Sequence, residues 1–378
     1  MALAKQGDVS VRQGRHRFEM TRSSTPLLKA ALSALHYSQA DDLIAPFTGG
    51  DGVIFTLHHV TRDVRRGFDP NSILKVTPEF LDRVIRQVRD QGFEIISLDE
   101  AARRLKTGEQ GKPFAVFTLD DGYRDNRDCA YPVFKAHEAP FTVYVPTDFP
   151  SADGELWWLA LEEALRRLAT ATVEIDGITR AFDLTSDAEK AAAFDAIYWW
   201  MRRSAESEGR AVTRRLAKEA GFEVRDLTRD LVMTWDELRD FAADPLVTIG
   251  AHTKSHHAVS KLSAEAAREE IAGSVARIEH ELGRPCRHFS FPYGGADSAG
   301  DRDFAIAREV GLETAVTTRK GLIRADHRDA LTALPRLSLN GDFQDSRYVK
   351  VLLSGAPFAI LDAARRLTAL RRRASAST

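Results

Sequence analysis

An α/β fold built on a parallel sheet and carrying a helical insertion is what the sequence predicts, on three observations. Short apolar, β-branched runs alternate with segments of helical period over residues 50–150 and again beyond 232. Between these stretches, residues 156–231 are rich in helix formers and lose the alternation. Polar clusters follow the C-terminal ends of three predicted strands, the end of a parallel β/α sheet where active sites are built.

Residues 1–28 are expected to form a mobile basic arm, with Lys5, Arg12, Arg15, Arg17 and Arg22. "TPLLKAALSALHYSQA", which begins inside it, has apolar residues at helical spacing. "GVIFTLHHV" reads as a buried strand ending at His58 and His59. "TPEFLDRVIRQVRDQGF" opens on Thr77-Pro78-Glu79, an N-cap followed by proline at the first helical position, and closes on Gly92. "FEIIS", "FAVFTLD" and "FTVYVPT" are the next strands, with "LDEAARRLKTGEQG" and "YPVFKAHEAP" between them. In the insertion, "LWWLALEEALRRLA" and "SDAEKAAAFDAIYWWMRRSAES" read as helices and "TVEI" is the candidate strand. The β/α pattern resumes with "TWDELRDFAADPLVTIGAHT", "SAEAAREEIAGSVARIEHELG", "CRHFSFPYG", "FAIAREVG" and "TAVTT". The main unit therefore spans 29–355. Residues 356–378 are expected to be a basic helix, "ILDAARRLTALRRRA", and a tail, with the charged face in solvent.

Hydrophobic content of 43% and charged content of 29% exclude fibrous, membrane and wholly disordered classes. A formal net charge of −2 gives no global attraction to nucleic acid, so no nucleic-acid partner is expected. Cys129 and Cys286 have no CxxC neighbour and read as idle thiols. No stretch has the apolar length of a membrane span, and the N-terminus lacks the apolar centre of a secretory signal; a cytoplasmic location is the expectation.

"FAVFTLDDGY" ends in Asp120 and Asp121. Adjacent carboxylates followed by Gly122 are compatible with a simple turn cap. They are also compatible with a division of labour, in which one carboxylate coordinates a cation and its neighbour works as a base. Two such groups raise each other's pKa, and a metal relieves that conflict. "VTIGAHTKSHH" ends in His252, His256 and His257. The i, i+4 spacing of His252 and His256 places both imidazoles on one side of a helical turn, whereas His257 faces away. Imidazole is the commonest zinc ligand, and three protein ligands plus water mark a catalytic site.

Taken together these residues resemble the polysaccharide deacetylases, the NodB-like carbohydrate esterases. "TLDDGY" (Thr118–Tyr123) is similar to their aspartate motif, "HTKSH" (His252–His256) to their paired-histidine motif, and "FSFPYG" (Phe289–Gly294) to an aromatic strand ending in Pro-Tyr-Gly. "TLHHV" and "LPRLSL" resemble the flanks, and the likeness covers roughly 50–150 and 232–340. The resemblance implies a distorted (β/α) barrel and a divalent ion, zinc foremost, held by Asp121, His252 and His256. It implies Asp120 as general base and the backbone N–H of Tyr293 as oxyanion donor. The expected activity is removal of acetyl groups from N-acetylated aminosugars in an oligo- or polysaccharide. The alternatives are an O-acetyl esterase, which uses the same parts, and a sugar-binding barrel that has lost catalysis.

This chain departs from the family pattern in two places. Ser290 stands where many members carry an arginine that orients the base, and Arg336 in "LPRLSL" is the expected substitute, Arg287 lying too early. The usual late histidine motif is not evident, so His58 is the first candidate for the acid, ahead of His59 and His327. Trp157, Trp158, Trp199 and Trp200 are read first as core of the insertion and second as sugar-stacking faces.

Overall fold

The structure is a computed structural model and describes residues 25–63, 67–109, 111–363 and 368. Among the described residues twelve strands follow in chain order: β1 (Gly52–Leu57), β2 (His59–Val60), β3 (Lys75–Val76), β4 (Glu94–Ile95), β5 (Phe114–Leu119), β6 (Phe141–Val145), β7 (Thr170–Ile175), β8 (Ile178–Asp183), β9 (Val247–Ala251), β10 (His288–Ser290), β11 (Thr314–Val316) and β12 (Leu337–Ser338). Eight of them make one sheet in the order β11-β10-β9-β6-β5-β1-β12, with β4 also against β5, and every pair in it is parallel.

Both faces of the central strands are covered. β1, β5 and β6 are buried at every position, which is why they read as continuous apolar runs rather than alternating ones. The segment Leu334–Leu339 curls the sheet toward closure. Its Leu334 N–H donates to Ala315 O of β11 at 3.0 Å, and its Leu339 N–H donates to Thr56 O of β1 at 2.9 Å. A distorted (β/α) barrel is the result, as expected.

Three expectations need correction. The chain is already helical at Thr25, in α1 (Thr25–Tyr37), so residues 25–28 are not part of an arm; residues 1–24 lie outside the described ones. "FEIIS" contributes only two strand residues, an edge pair whose exposed Glu94 cannot be buried. The insertion, otherwise helical at Trp157–Arg167, Asp187–Arg203, Glu206–Glu219 and Val224–Leu231, contains a full antiparallel hairpin, β7–β8, of which only part was foreseen in "TVEI". At the C-terminus residues 356–363 are helical, while the five arginines of the expected basic helix lie outside the described residues. Cys129 and Cys286 are free thiols.

Candidate active site

The three strand-end clusters converge. After β5 the chain turns sharply, with Asp121 at φ 76° and Gly122 at φ 68°, and this rotation sends the two adjacent carboxylates to different partners. A side chain at Gly122 would also press on Val145, 3.3 Å away. Four of the eight non-glycine residues with positive φ among the described residues are Asp121, Thr253, His256 and Tyr293, all in or beside this cluster. Such backbone costs of order 1–3 kcal/mol per residue and persists where packing over-determines it.

Asp121 Oδ1 lies 3.3 Å from His256 Nε2 and 3.6 Å from His252 Nε2, and all three side chains are buried. One ligand atom from each falls within 4.8 Å of the others. Asp121 Oδ1 makes no hydrogen bond despite its burial. The His252 ring is oriented by its Nδ1, 2.6 Å from the Ser290 carbonyl, which leaves Nε2 facing the cluster. Burial lowers the His252 pKa to about 4, so the imidazole is neutral and its lone pair available. Burial alone would raise Asp121; its histidine neighbours, His256 first, outweigh that and hold it ionised. The two histidines do not share a helical turn. Residues 252–258 are loop, and positive φ at Thr253 and His256 brings the rings to a centroid distance of 4.9 Å. His257 sits outside, 3.7 Å from both Glu206 and Glu270.

Asp120 turns to Arg336. Arg336 Nη1 donates to Asp120 Oδ1 at 2.8 Å and Nη2 to Oδ2 at 2.7 Å, a bidentate fork inside the barrel. The same guanidinium donates to Ser290 Oγ at 2.9 Å, so it lies beside that residue. Burial pushes the Asp120 carboxyl up, the Arg336 charge pulls it down, and the net result lies below the usual carboxylate range.

His58 marks the break between β1 and β2. Burial lowers its pKa against the opposing pull of Asp121 and Asp120, which places it in the field of both carboxylates. His59 instead pairs with Asp125 at 2.7 Å and stacks on Tyr123 at 3.6 Å. His327 lies in the turn Ala325–Asp329, 3.5 Å from Asp326. Tyr293 has φ 61° in a tight turn closed by Gly294 N–H on the Pro292 carbonyl at 2.7 Å, and its own N–H donates to no group among the described residues.

The insertion reaches this site. Trp157, Trp158 and Trp200 are buried, in keeping with the packing reading, while Trp199 is exposed. Trp157 Nε1 donates to Tyr293 Oη at 2.8 Å, and the Trp158 ring lies 4.8 Å from that of His256. The Arg202 guanidinium covers the Tyr293 ring at 3.6 Å. Asp125 and Arg202 were not singled out for the site; Arg202 reaches it over long range, whereas Asp125, close to the aspartate pair, had a local signal.

A parallel barrel with a buried carboxylate–imidazole cluster at its strand ends is an enzyme scaffold of the β/α-barrel hydrolase class. The family model for polysaccharide deacetylase matches residues 107–315, more than half of the chain. The chain belongs to the polysaccharide deacetylase family, whose members hydrolyse N-acetyl amide bonds. No curated protein matches the chain by sequence. Among solved structures, the Streptococcus pyogenes deacetylase PplD, in complex with acetate, is 16% identical with a TM-score of 0.51, covering 80% of this chain and 98% of that one. A polysaccharide deacetylase from Bacillus cereus is 13% identical with a TM-score of 0.50, covering 80% of this chain and 68% of that one. At such identities the likeness speaks to the fold alone.

Proposed function

We propose that the protein is a metal-dependent N-deacetylase of acetylated aminosugars in an oligo- or polysaccharide. The observation that carries this reading is the separation of the adjacent aspartates, Asp121 toward two histidines and Asp120 toward a buried guanidinium. Asp121, His252 and His256 would hold the ion, since Asp121 Oδ1 is buried without a hydrogen bond and two imidazoles with one carboxylate suit zinc. Such an ion supplies Lewis acidity at the acyl carbonyl and lowers the pKa of water toward ~7.

The chain's own groups do the rest. Asp120 accepts the proton of the water that attacks the acetyl carbon, and Arg336 keeps its carboxylate ionised and aimed. The Tyr293 N–H donates to the oxyanion that develops on the acetyl oxygen. As the C–N bond breaks, the proton that Asp120 took from the water passes through His58, whose imidazole burial keeps neutral and free to accept it, to the leaving nitrogen. Acetate and the free amine are the products. The guanidinium on Asp120 argues against a barrel that has lost catalysis, a reading that the missing arginine and the missing acid motif had favoured.

The test is release of acetate from a panel of acetylated glycans by zinc-loaded protein, with Asp120→Asn alongside. Acetate release from an N-acetylated glycan, lost in Asp120→Asn, is expected. Release from O-acetylated glycans only would replace the amide by an ester, and equal release by Asp120→Asn would remove the assigned base.

A further inference from the structure

A narrow cleft borders Tyr293, and the insertion supplies most of its walls. Arg202, Glu206 and Arg210 reach it from the helices Asp187–Arg203 and Glu206–Glu219, Trp157 from the helix Trp157–Arg167, and Lys261 from the short turn Val259–Lys261 that follows the histidine pair. Three cations therefore meet one carboxylate in the lining. Asp297 stands at the edge, half exposed, with Oδ2 3.9 Å from Arg202 Nη2 and so beyond hydrogen-bond reach.

The protein leaves part of this positive charge unanswered. Arg210 is 8% exposed; its Nη2 donates to the Ser255 carbonyl at 2.7 Å and lies 3.4 Å from Glu206, while its Nε is buried without a hydrogen bond. Lys261 Nζ donates to the Ser204 carbonyl at 2.8 Å and forms no ion pair among the described residues. Arg202 donates to Ser298 Oγ at 3.0 Å and lies over the Tyr293 ring. Glu206, the acid of the lining, is also engaged outside it: Oε1 accepts the Ala258 N–H at 2.7 Å, and Oε2 lies 3.7 Å from His257. A buried donor without an acceptor is costly, and cations kept only to brace a fold find their acceptors within the protein.

The cleft adjoins the reacting centre. Tyr293 carries the N–H assigned to the oxyanion, its ring centroid is 4.8 Å from that of His256, and its hydroxyl accepts from Trp157. One aromatic side chain thus separates Arg202 from the ligand cluster. A sugar whose acetamide lies on that cluster has its own substituents, or those of the next sugar, beside the cleft. The opening is too narrow for a pyranose ring, so it admits a substituent.

We propose that Arg202, Arg210 and Lys261 form an anion subsite that selects glycans bearing a negatively charged oxygen group, a carboxylate or a phosphate ester, on the acetylated sugar or its neighbour. The proposal rests on the deacetylase reading and adds to it the class of glycan. The formal net charge of the chain is −2, so the selection is local to this cleft and not a general attraction.

The experiment measures binding by calorimetry to the full chain carrying Asp120→Asn and loaded with zinc, so that the probes are not consumed. The probes are tetra-N-acetylchitotetraose and the same oligosaccharide carboxymethylated or phosphorylated on its hydroxyl groups, which share backbone and linkage and differ in the anion. At least one charged probe should bind about tenfold more tightly than the neutral one, the scale of a charge-assisted hydrogen bond, and salt should shrink the preference. The charged probe that binds more tightly identifies the carboxylate or the phosphate as the source of the charge. Lys261→Gln should cut the preference about threefold, as for a partly exposed ion pair, and Arg202→Gln combined with Lys261→Gln should abolish it. Circular dichroism and metal content check that each variant is folded; Lys261 is exposed, so its single variant reads the subsite even where the double variant fails to fold. Charged probes that bind no better than the neutral one, or not at all, overturn the proposal, and so does a preference unchanged in Lys261→Gln. Acetate release by wild-type protein is followed on the same probes. A charge preference in binding with no acetate released from any probe would overturn the deacetylase reading and leave the subsite standing.

Discussion

Replacing Arg336 with methionine roughly keeps the length of a buried side chain and removes its charge. The native guanidinium donates two hydrogen bonds to Asp120 and one each to Thr118 Oγ1, Ser290 Oγ and the Thr317 carbonyl. Removing one partner of a buried pair costs about 3–5 kcal/mol, because the other charge is left without compensation. R336M should lose stability of that order at neutral pH. The dependence on pH has a definite sign. With Arg336 present, Asp120 is held below its ordinary value, so the pair contributes stability at neutral pH that is lost as pH falls through the folded pKa. In R336M the same buried carboxyl rises above its ordinary value and recovers part of the loss by taking up a proton. The gap between wild type and variant should therefore narrow on acidification. Denaturant unfolding of both proteins at neutral and mildly acidic pH measures the gap, and D120N combined with R336M should be more stable than R336M alone. The acid limb of turnover should move to higher pH in R336M. An R336M protein within about 0.5 kcal/mol of wild type at neutral pH, with an unmoved acid limb, would refute the coupling.

Other expectations concern the neighbouring groups. Asp120→Asn should keep its metal and lose roughly 10²- to 10⁴-fold in kcat, whereas Asp121→Asn should lose metal and activity together; metal analysis beside kinetics would expose exchanged roles. His257→Ala should retain stoichiometric metal, while His252→Ala or His256→Ala should not. Tyr293→Phe leaves the Trp157 N–H without its acceptor, for a stability loss of about 1–3 kcal/mol, yet kcat should change only severalfold because the proposed donor is main-chain; a hundredfold fall would implicate the phenol. Glu237 is held at about 2 by hydrogen bonding to Arg124, against burial, with the Thr234 N–H and Arg127 adding to it. Its contribution is present above the ordinary glutamate pKa and is lost as pH falls toward 2. Glu237→Gln should thus cost about 1–2 kcal/mol at neutral pH, after discounting for partial exposure, and the cost should vanish in acid unfolding curves.

The site was legible where chemistry follows a strand directly. Asp120, Asp121, His252 and His256 stand within a few residues of apolar runs that end in strands, whereas Arg336 stands just before β12 and was reached through the resemblance. The second strand of the β7–β8 hairpin was missed although its turn was written in the chain. Asp176 and Gly177 both have positive φ, as a two-residue type I′ turn requires. The strand after that turn is exposed almost throughout, so it offered no apolar alternation to recognise. The histidine pair was read on a helical period, yet two positive-φ residues in a loop make the convergence, and such backbone leaves no trace in spacing. Trp158 against His256 and Arg202 over Tyr293 join residues about a hundred positions apart, where periodicity carries no information.

The guanidinium on Asp120 comes from a residue 216 positions further along the chain. It rides on the stretch that hydrogen-bonds to β1 and β11 and draws the sheet into a barrel. A chain emerging from the ribosome has every member of the Asp121–His252–His256 cluster long before it has Arg336. Until the final strand docks, the carboxylate assigned to proton transfer has no partner to aim it. Closure of the barrel and alignment of Asp120 are thus a single event.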